Sequence, residues 1–402
     1  MKGTLALWYE PTPGLPAGHK AVRVELHLNL WRDLPSGVNF LDIGLLLENT
    51  EAMSRFYLYM PAQLNSTQIG DLSGILRSTA NAVFNDVVEL GAEADDQYQI
   101  IRSGKTDTVF KIRDEDLELV GDEDPVFGTG TRITFRESLV ERMNAVEGRR
   151  YVRFRIQLTG AARNTFSSEV HARDRYFLSS AGVLEVTEFR LNERRSYPAS
   201  IAKRSEPGAF LITRVHYFLI RDLEHQLISQ HARFEKIRRM EAELWLEYLA
   251  SAYPHGEDGL TAKLAERLVI YHWKESGKTD DFGGMRGVGD FVAFASFRRT
   301  SSSLQLYAIM IVLLGAAGSL AAAIGTSIIA SWLSEAPVSA APAADVVLAA
   351  EWRLLLFLAI IIILAILAPA VRAWGRVLLD LFWKHFRSSR ILNSLLRRLR
   401  RG

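Results

Sequence analysis

Between Arg299 and Glu335 the chain carries no charged residue, and a second uncharged run, Leu354 to Val371, follows the Glu351-Trp352-Arg353 boundary. A bilayer core ~30 Å thick takes roughly 20 apolar residues at 1.5 Å rise per residue, so each run is long enough, or nearly so, to cross as a helix. The expectation is a two-pass membrane region over residues 301–372. Its connecting loop, 335–351, has Glu335, Asp345 and Glu351 but no Lys or Arg, whereas Arg298 and Arg299 precede the first run and a basic tail follows the second. The positive-inside rule then puts both termini on the cytoplasmic side of a bacterial inner membrane, with Trp332 and Trp352 at the outer interface.

The two runs differ. The second is Leu and Ile on every side, as suits a helix surrounded by lipid. Along the first, steps of 100° gather Gln305, Ala308, Val312, Gly315, Ala316, Ser319, Ala323, Thr326 and Ala330 on one face. Hydroxyls and amides facing lipid lack partners, so such a stripe wants either close helix packing or water. Two readings stand. One is a packed ridge through Gly315, Ser319 and Ala323. The other is a pore lined by Gln305, Ala308, Val312, Ser319, Ala323, Thr326 and Ala330 from several copies of the chain. The tail, residues 373–402, spaces its apolar residues from Trp374 to Leu399 among Arg and Lys at helical intervals, so it either lies on anionic lipid or packs against copies of itself.

About 300 residues precede the first run, enough for a large core. Their first part alternates in the β manner. In Ala21–Leu30, residues Val22, Val24, Leu26, Leu28 and Leu30 share one face, and Arg23, Glu25, His27 and Asn29 share the other. Similar runs are Phe40–Leu47, Arg55–Met60, Tyr98–Arg102, Thr108–Arg113, Arg132–Phe135, Tyr151–Leu158, Val183–Leu191 and Ala209–Ile220, with a helix over Ile69–Phe84. Many short strands between Gly, Pro and Asn turns indicate a sandwich or jelly-roll. From Asp222 the spacing of Leu223, Leu227, Phe234, Ile237, Leu244 and Tyr248 becomes helical, and Leu260–Glu275 gives a second helix. The expected fold class is therefore a β-rich cytoplasmic sensor domain over 1–220, an α-helical coupling layer over 221–300, two transmembrane helices over 301–372 and a basic amphipathic helix over 373–402. The opening MKGTLALWYEPTPG has too short an apolar run for a signal segment, so the N-terminus is expected to stay inside.

The charges nearly balance, with 48 Lys and Arg against 46 Asp and Glu, but they are unevenly placed. Asp86–Asp124 is acidic. Arg149–Arg204 is rich in Arg, and Arg149, Arg150, Arg153, Arg155, Arg173, Arg175, Arg194 and Arg195 are the candidate ligand-binding residues. Guanidinium groups presented together suit phosphate, and Tyr151, Tyr176 and Tyr197 could stack on bases. The competing reading is a solvated strand face paired with the acidic segment.

Enzyme signatures fail. There is no Cys, which excludes thiolate chemistry and zinc–cysteine sites. Gly277-Lys278-Thr279 lacks the leading glycine of a phosphate loop and follows a helical pattern. The nine His are scattered, and His225 and His231 lack metalloprotease spacing, so no metal, cofactor or catalytic residue is expected.

The order of parts (β-rich front, coupling helices, paired spans, basic tail) resembles bacterial anti-phage two-transmembrane effectors, among them the channels of the Hailong defence system. That resemblance rests on architecture, and no motif transfers a residue by position. It implies a homo-oligomeric ion channel, for instance a tetramer. Its cytoplasmic domain would bind a nucleotide or short DNA oligomer made by a partner nucleotidyltransferase, and its opening would depolarise the membrane. The rival expectation is a membrane-anchored scaffold whose β domain binds a protein partner.

Overall fold

The structure, a computed structural model, describes residues 3–15, 19–32, 34, 38–170, 182–232, 234–252, 258–279, 284–300 and 304–333. They fall into two compact units, Met1–Ser301 and Ser302–Gly402.

The first unit is built on a ten-stranded sheet. In spatial order it runs Lys236–Arg239, Leu268–Ser276, Leu211–Asp222, Arg23–Trp31, Phe40–Glu48, Arg149–Gln157, Lys105–Phe110, Gln97–Arg102 and Val88–Ala94, with the short strand Ile69–Asp71 also on Arg149–Gln157. Neighbours are antiparallel except at two junctions, where Leu211–Asp222 lies parallel to Arg23–Trp31 and Arg149–Gln157 parallel to Lys105–Phe110.

Alternation divides the work of the sheet's two faces. Val24, Leu26, Leu28 and Leu30, with Val215, Tyr217, Leu219, Val152 and Phe154, join the main core. Two four-stranded sheets and the helix Glu137–Asn144 add to it. One sheet contributes Leu7, Phe56, Leu58, Ile133 and Phe135, and the other Phe189, Leu191, Phe291 and Phe297. The opposite face carries Glu25, His27, Asn29 and Trp31. Sequence alternation alone reads it as the wet side, yet His27, Asn29 and Trp31 are buried. Trp31, Phe40 and Ile270 pack there against Trp245, Tyr248 and Leu249 of the helix Ala242–Ala250, and Leu46 and Tyr151 against Leu76 and Ala80 of the helix Ser73–Phe84.

Residues 221–300 are largely strand, which corrects the helical coupling layer. His225–Gln230 and Lys236–Arg239 are strands, and the segment Leu260–Glu275 divides into the helix Asp258–Glu266 and the strand Leu268–Ser276. Phe291–Thr300 pairs in register with Gly182–Leu191, from Gly182↔Thr300 to Leu191↔Phe291. The helical reading fails for two physical reasons. A bulge between Leu227 and Ser229 breaks the period of two. Leu268–Tyr271 is buried on both faces, and its unbroken apolar run cannot be told from a helix by periodicity.

In the second unit the helix Leu304–Leu333 is described, with its side chains given from 311 to 327. Among the described residues no helix is long and apolar enough to cross a membrane. This overturns the two transmembrane helices of the expected fold class, the ion-channel reading and the inner-membrane location. The second run, the loop 335–351 and the tail 373–402 lie outside the described residues, as do the side chains of Gln305, Ala308 and Ala330. The stripe's hydroxyls need neither pore nor partner helix to find acceptors. Ser319 donates to the Gly315 carbonyl at 2.9 Å, and Thr326 to the Ala322 and Ala323 carbonyls at 3.0 and 2.9 Å. Val312 and Ala323 lie on the same helix without polar atoms to satisfy.

Candidate functional site

The sheet's second face is not wholly covered. Where Arg23–Trp31, Leu211–Asp222 and Leu268–Ser276 run side by side, a cleft of about 280 Å³ opens between the end of the helix Ser73–Phe84 and Trp245. Register builds its floor: His216 sits opposite His27 on the parallel neighbour, and Lys274 opposite His216 on the next strand. One step along, His272 faces Phe218 on one side and Lys236 on the other.

Three side chains converge on this floor. Glu25 and His27 are two residues apart on one strand and so project together. His27 Nε2 lies 3.2 Å and His216 Nε2 3.6 Å from the same oxygen, Oε1 of Glu25. The ligating atoms of Glu25, His27 and His216 all fall within 4.8 Å of one another. Each has a further partner behind it. His27 Nδ1 is 3.3 Å from the Tyr151 hydroxyl, His216 Nδ1 is 3.1 Å from His272 Nε2, and Arg214 Nη1 is 3.4 Å from Glu25 Oε2.

Electrostatics fix the protonation states. Burial opposes ionisation of Glu25, but the hydrogen bonds from His216 and His27, with the His27 and Arg214 charges, outweigh it and hold the carboxyl far below its usual range. Burial pushes the His27 imidazole down to about 4, against the opposing pull of Glu25. Burial, then the charges of His216, Lys274, Lys236 and Arg238, take His272 down to about 3. At neutral pH the floor therefore presents a carboxylate beside neutral His27 and His272.

The walls are cationic and aromatic. Among the described residues, Arg102, Arg214, Lys236, Arg238 and Lys274 line the cleft with the carboxylates of Glu25 and Glu235, and Phe84, Phe218 and Trp245 supply rings. Arg102 is neutralised by Asp107 at 2.8 Å and lies 4.5 Å above the Phe84 ring. Lys236 and Lys274 make no ion pair among the described residues. The Trp245 indole N–H, on a buried side chain, has no hydrogen-bond partner among them either.

Behind the floor runs a buried polar network. Arg153 donates to Tyr151, Asn29 and Tyr248, the last at 2.9 and 3.0 Å. Tyr248 donates to Asp42 at 2.6 Å, and Asp42 also accepts from Arg155 at 2.7 and 3.1 Å and from Trp31 at 3.0 Å. Gly44 lets this network reach the cleft, because a Cβ there would collide with the Tyr151 hydroxyl.

Among the described residues, the arginines marked out in the sequence are not gathered on one exposed surface. Arg153 and Arg155 do share a sheet face, but beneath the helix Ala242–Ala250, and both are buried. Arg150 donates to the carbonyls of Met143, Val146 and Gly148 at the end of the helix Glu137–Asn144. Arg149 pairs with Asp107 at 2.5 Å, and Arg195 pairs with Glu193. Arg194 is exposed at the edge of a separate depression with Tyr197 and Asp290. Arg173 and Arg175 lie outside the described residues. Sequence spacing, up to 247 positions, hides the meeting of Glu25, His27, His216 and His272, which strand pairing brings together.

No family model and no curated protein matches the chain. Among solved structures, native yeast LTA4 hydrolase aligns with 70% of this chain and 29% of its own length, at 10% identity and a TM-score of 0.22. The chain thus spans less than a third of that protein, and a likeness of this degree carries no argument about fold or activity.

Proposed function

We propose that the chain is a ligand-binding protein whose cleft takes a small phosphorylated molecule carrying an aromatic ring, of the mononucleotide class. The observation that carries the reading is a ring-walled cleft lined by five cationic side chains, of which Arg102, Arg214 and Arg238 pair with Asp107, Glu25 and Glu241 while Lys236 and Lys274 make no ion pair among the described residues. Cations at a low-dielectric concave surface focus a field that favours a polyanion. Phe84, Phe218 and Trp245 offer faces or edges to a base, and the unpartnered Trp245 N–H offers a donor. A volume of about 280 Å³ falls just below the usual range of small-molecule pockets, roughly 300–1,000 Å³, and suits one nucleotide but not a duplex. The nucleotide ligand that the sequence suggests for the Arg149–Arg204 region is thereby moved to the strands of Glu25, His216 and Lys274. The reading is one of recognition, and no reaction is assigned to the cleft.

Calorimetric titration of the full-length chain with adenosine, adenosine monophosphate and inorganic phosphate tests it. The monophosphate should bind saturably and at least tenfold more tightly than the nucleoside, with the affinity falling as salt rises. Lys236→Glu and Lys274→Glu should each weaken it tenfold or more. Equal binding of nucleoside and nucleotide, or none of either, would overturn the proposal.

A further inference from the structure

We infer that Glu25, His27 and His216 form a site for one divalent transition-metal cation of the zinc class at the floor of the cleft. Zinc binds imidazole nitrogen and carboxylate oxygen at about 2.0–2.2 Å, and in a tetrahedral shell such bonds put neighbouring ligand atoms roughly 3.3–3.5 Å apart. The distances from Glu25 Oε1 to His27 Nε2 and His216 Nε2, 3.2 and 3.6 Å, bracket that spacing before any ion draws the groups together. The ligand set, two imidazoles and one carboxylate on adjacent strands of a rigid sheet, is of the type that leaves a further coordination position open. Here that position faces the cleft.

The groups behind the three ligands make the case stronger than the cluster alone. Metal-bound histidines ordinarily donate their second N–H to a fixed acceptor, which sets ring orientation and tautomer. Both histidines here turn Nε2 inward and hold Nδ1 against such a partner, His27 on the Tyr151 hydroxyl and His216 on His272 Nε2. Arg214 takes the outer oxygen of Glu25. With the cation on Nε2, each ring carries its one proton on Nδ1 and donates it outward, so neither histidine needs to gain or lose a proton overall. Without a metal, a neutral ring in the same contacts carries its proton on Nε2 toward Glu25 and accepts at Nδ1, so the tautomer distinguishes the two states.

The site stands on the geometry of these side chains, and only the use of its open position by a phosphate rests on the ligand proposed above. The test therefore uses metal alone. Chelator-stripped full-length protein should take up one zinc ion per chain in a calorimetric titration, and Glu25→Gln and His216→Gln should each reduce affinity at least a hundredfold. Because substitution at Glu25 could disturb folding, cobalt(II) is added to the unmutated protein as a second reading. Strong visible absorption of a four- or five-coordinate ion with nitrogen ligands is expected, and weak absorption of the hydrated ion would overturn the site. So would the absence of saturable zinc uptake, or uptake unaltered in folded Glu25→Gln and His216→Gln proteins. Failure to bind adenosine monophosphate would leave these results readable and would count against the ligand proposal alone.

Discussion

His216 Nδ1 lies 3.1 Å from His272 Nε2, across two antiparallel strands of the large sheet, with the two rings stacked at 5.3 Å between centroids. One of these nitrogens must donate and the other accept. With the proposed cation on His216 Nε2, the ring's proton sits on Nδ1 and His272 Nε2 accepts it, so His272 is a positioning residue for the site beneath it. His272 is itself held by stacking on Phe218 at 4.2 Å. The substitution His272→Phe keeps that stack and removes the acceptor. Zinc affinity should fall by roughly 10- to 100-fold, the usual cost of losing such a support. Calorimetry reads the fall, and His272→Asn, which restores an acceptor, should recover part of it. Loss of structure alone would not produce that recovery.

Stability should fall as the cleft is acidified. His27 is held at about 4 by burial, below its ordinary 6.5, with Glu25, His216, Arg102 and Tyr151 facing it. Below about pH 6.5 the unfolded chain takes up a proton that folded His27 refuses until about pH 4. The contribution is therefore whole above pH 6.5 and is lost as pH falls through 6.5 to 4. At 1.36 kcal/mol per pH unit this amounts to roughly 3 kcal/mol. His272, lowered to about 3, acts in the same direction, and Glu25, pulled below its ordinary 4.5, adds its own loss at still lower pH. Urea unfolding at pH 7.5 and pH 5 measures the effect, and His27→Gln should flatten the difference.

Asp42 accepts from Trp31, Arg155 and Tyr248 and is fully buried. Removing its charge leaves the Arg155 guanidinium uncompensated beneath the helix Ala242–Ala250, a change that typically costs about 3–5 kcal/mol. Asp42→Asn should destabilise by that order, measured by chemical unfolding. Tyr248→Phe leaves the Arg155–Asp42 pair intact but removes both the donor to Asp42 and the acceptor of two bonds from buried Arg153, so it should cost about 1–3 kcal/mol.

These residues show what a sequence of this kind discloses. Alternation over Ala21–Leu30 locates the strand and the face that carries His27, and most of the strand runs before Asp222 fall where alternation puts them. It does not disclose that the polar face is covered, because burial of His27 and Asn29 depends on helices Ser73–Phe84 and Ala242–Ala250 arriving from elsewhere in the chain. Arg153 and Arg155 look like a ligand-binding pair for the same reason: a guanidinium on a strand reads alike whether it meets solvent, phosphate or a buried Asp42. His216 and His272 carry no local signal, since their meeting with Glu25 is created by a parallel pairing between strands nearly 190 positions apart. The uncharged run Ser301–Ser334 is the plainest signal in the sequence, and it locates the helix Leu304–Leu333.

The two proposals about the cleft, if both hold, are bound to each other by linkage. A cation at Glu25, His27 and His216 sits below Arg214, Lys236 and Lys274, whose charges oppose a bare divalent ion and favour one that already carries an anionic ligand. A phosphate on the open position relieves that opposition, so zinc and adenosine monophosphate should each tighten the other. Thermodynamic reciprocity requires the two factors to be equal, and couplings of this kind run about 1–3 kcal/mol, or roughly 5- to 150-fold. Zinc titrations with and without the monophosphate, and the converse pair, give the two factors separately. Lys274→Met provides the sharper reading, because it should strengthen binding of zinc alone while weakening the nucleotide. A variant that weakened both would act through the fold, and one that moved neither would place Lys274 outside the field of the site.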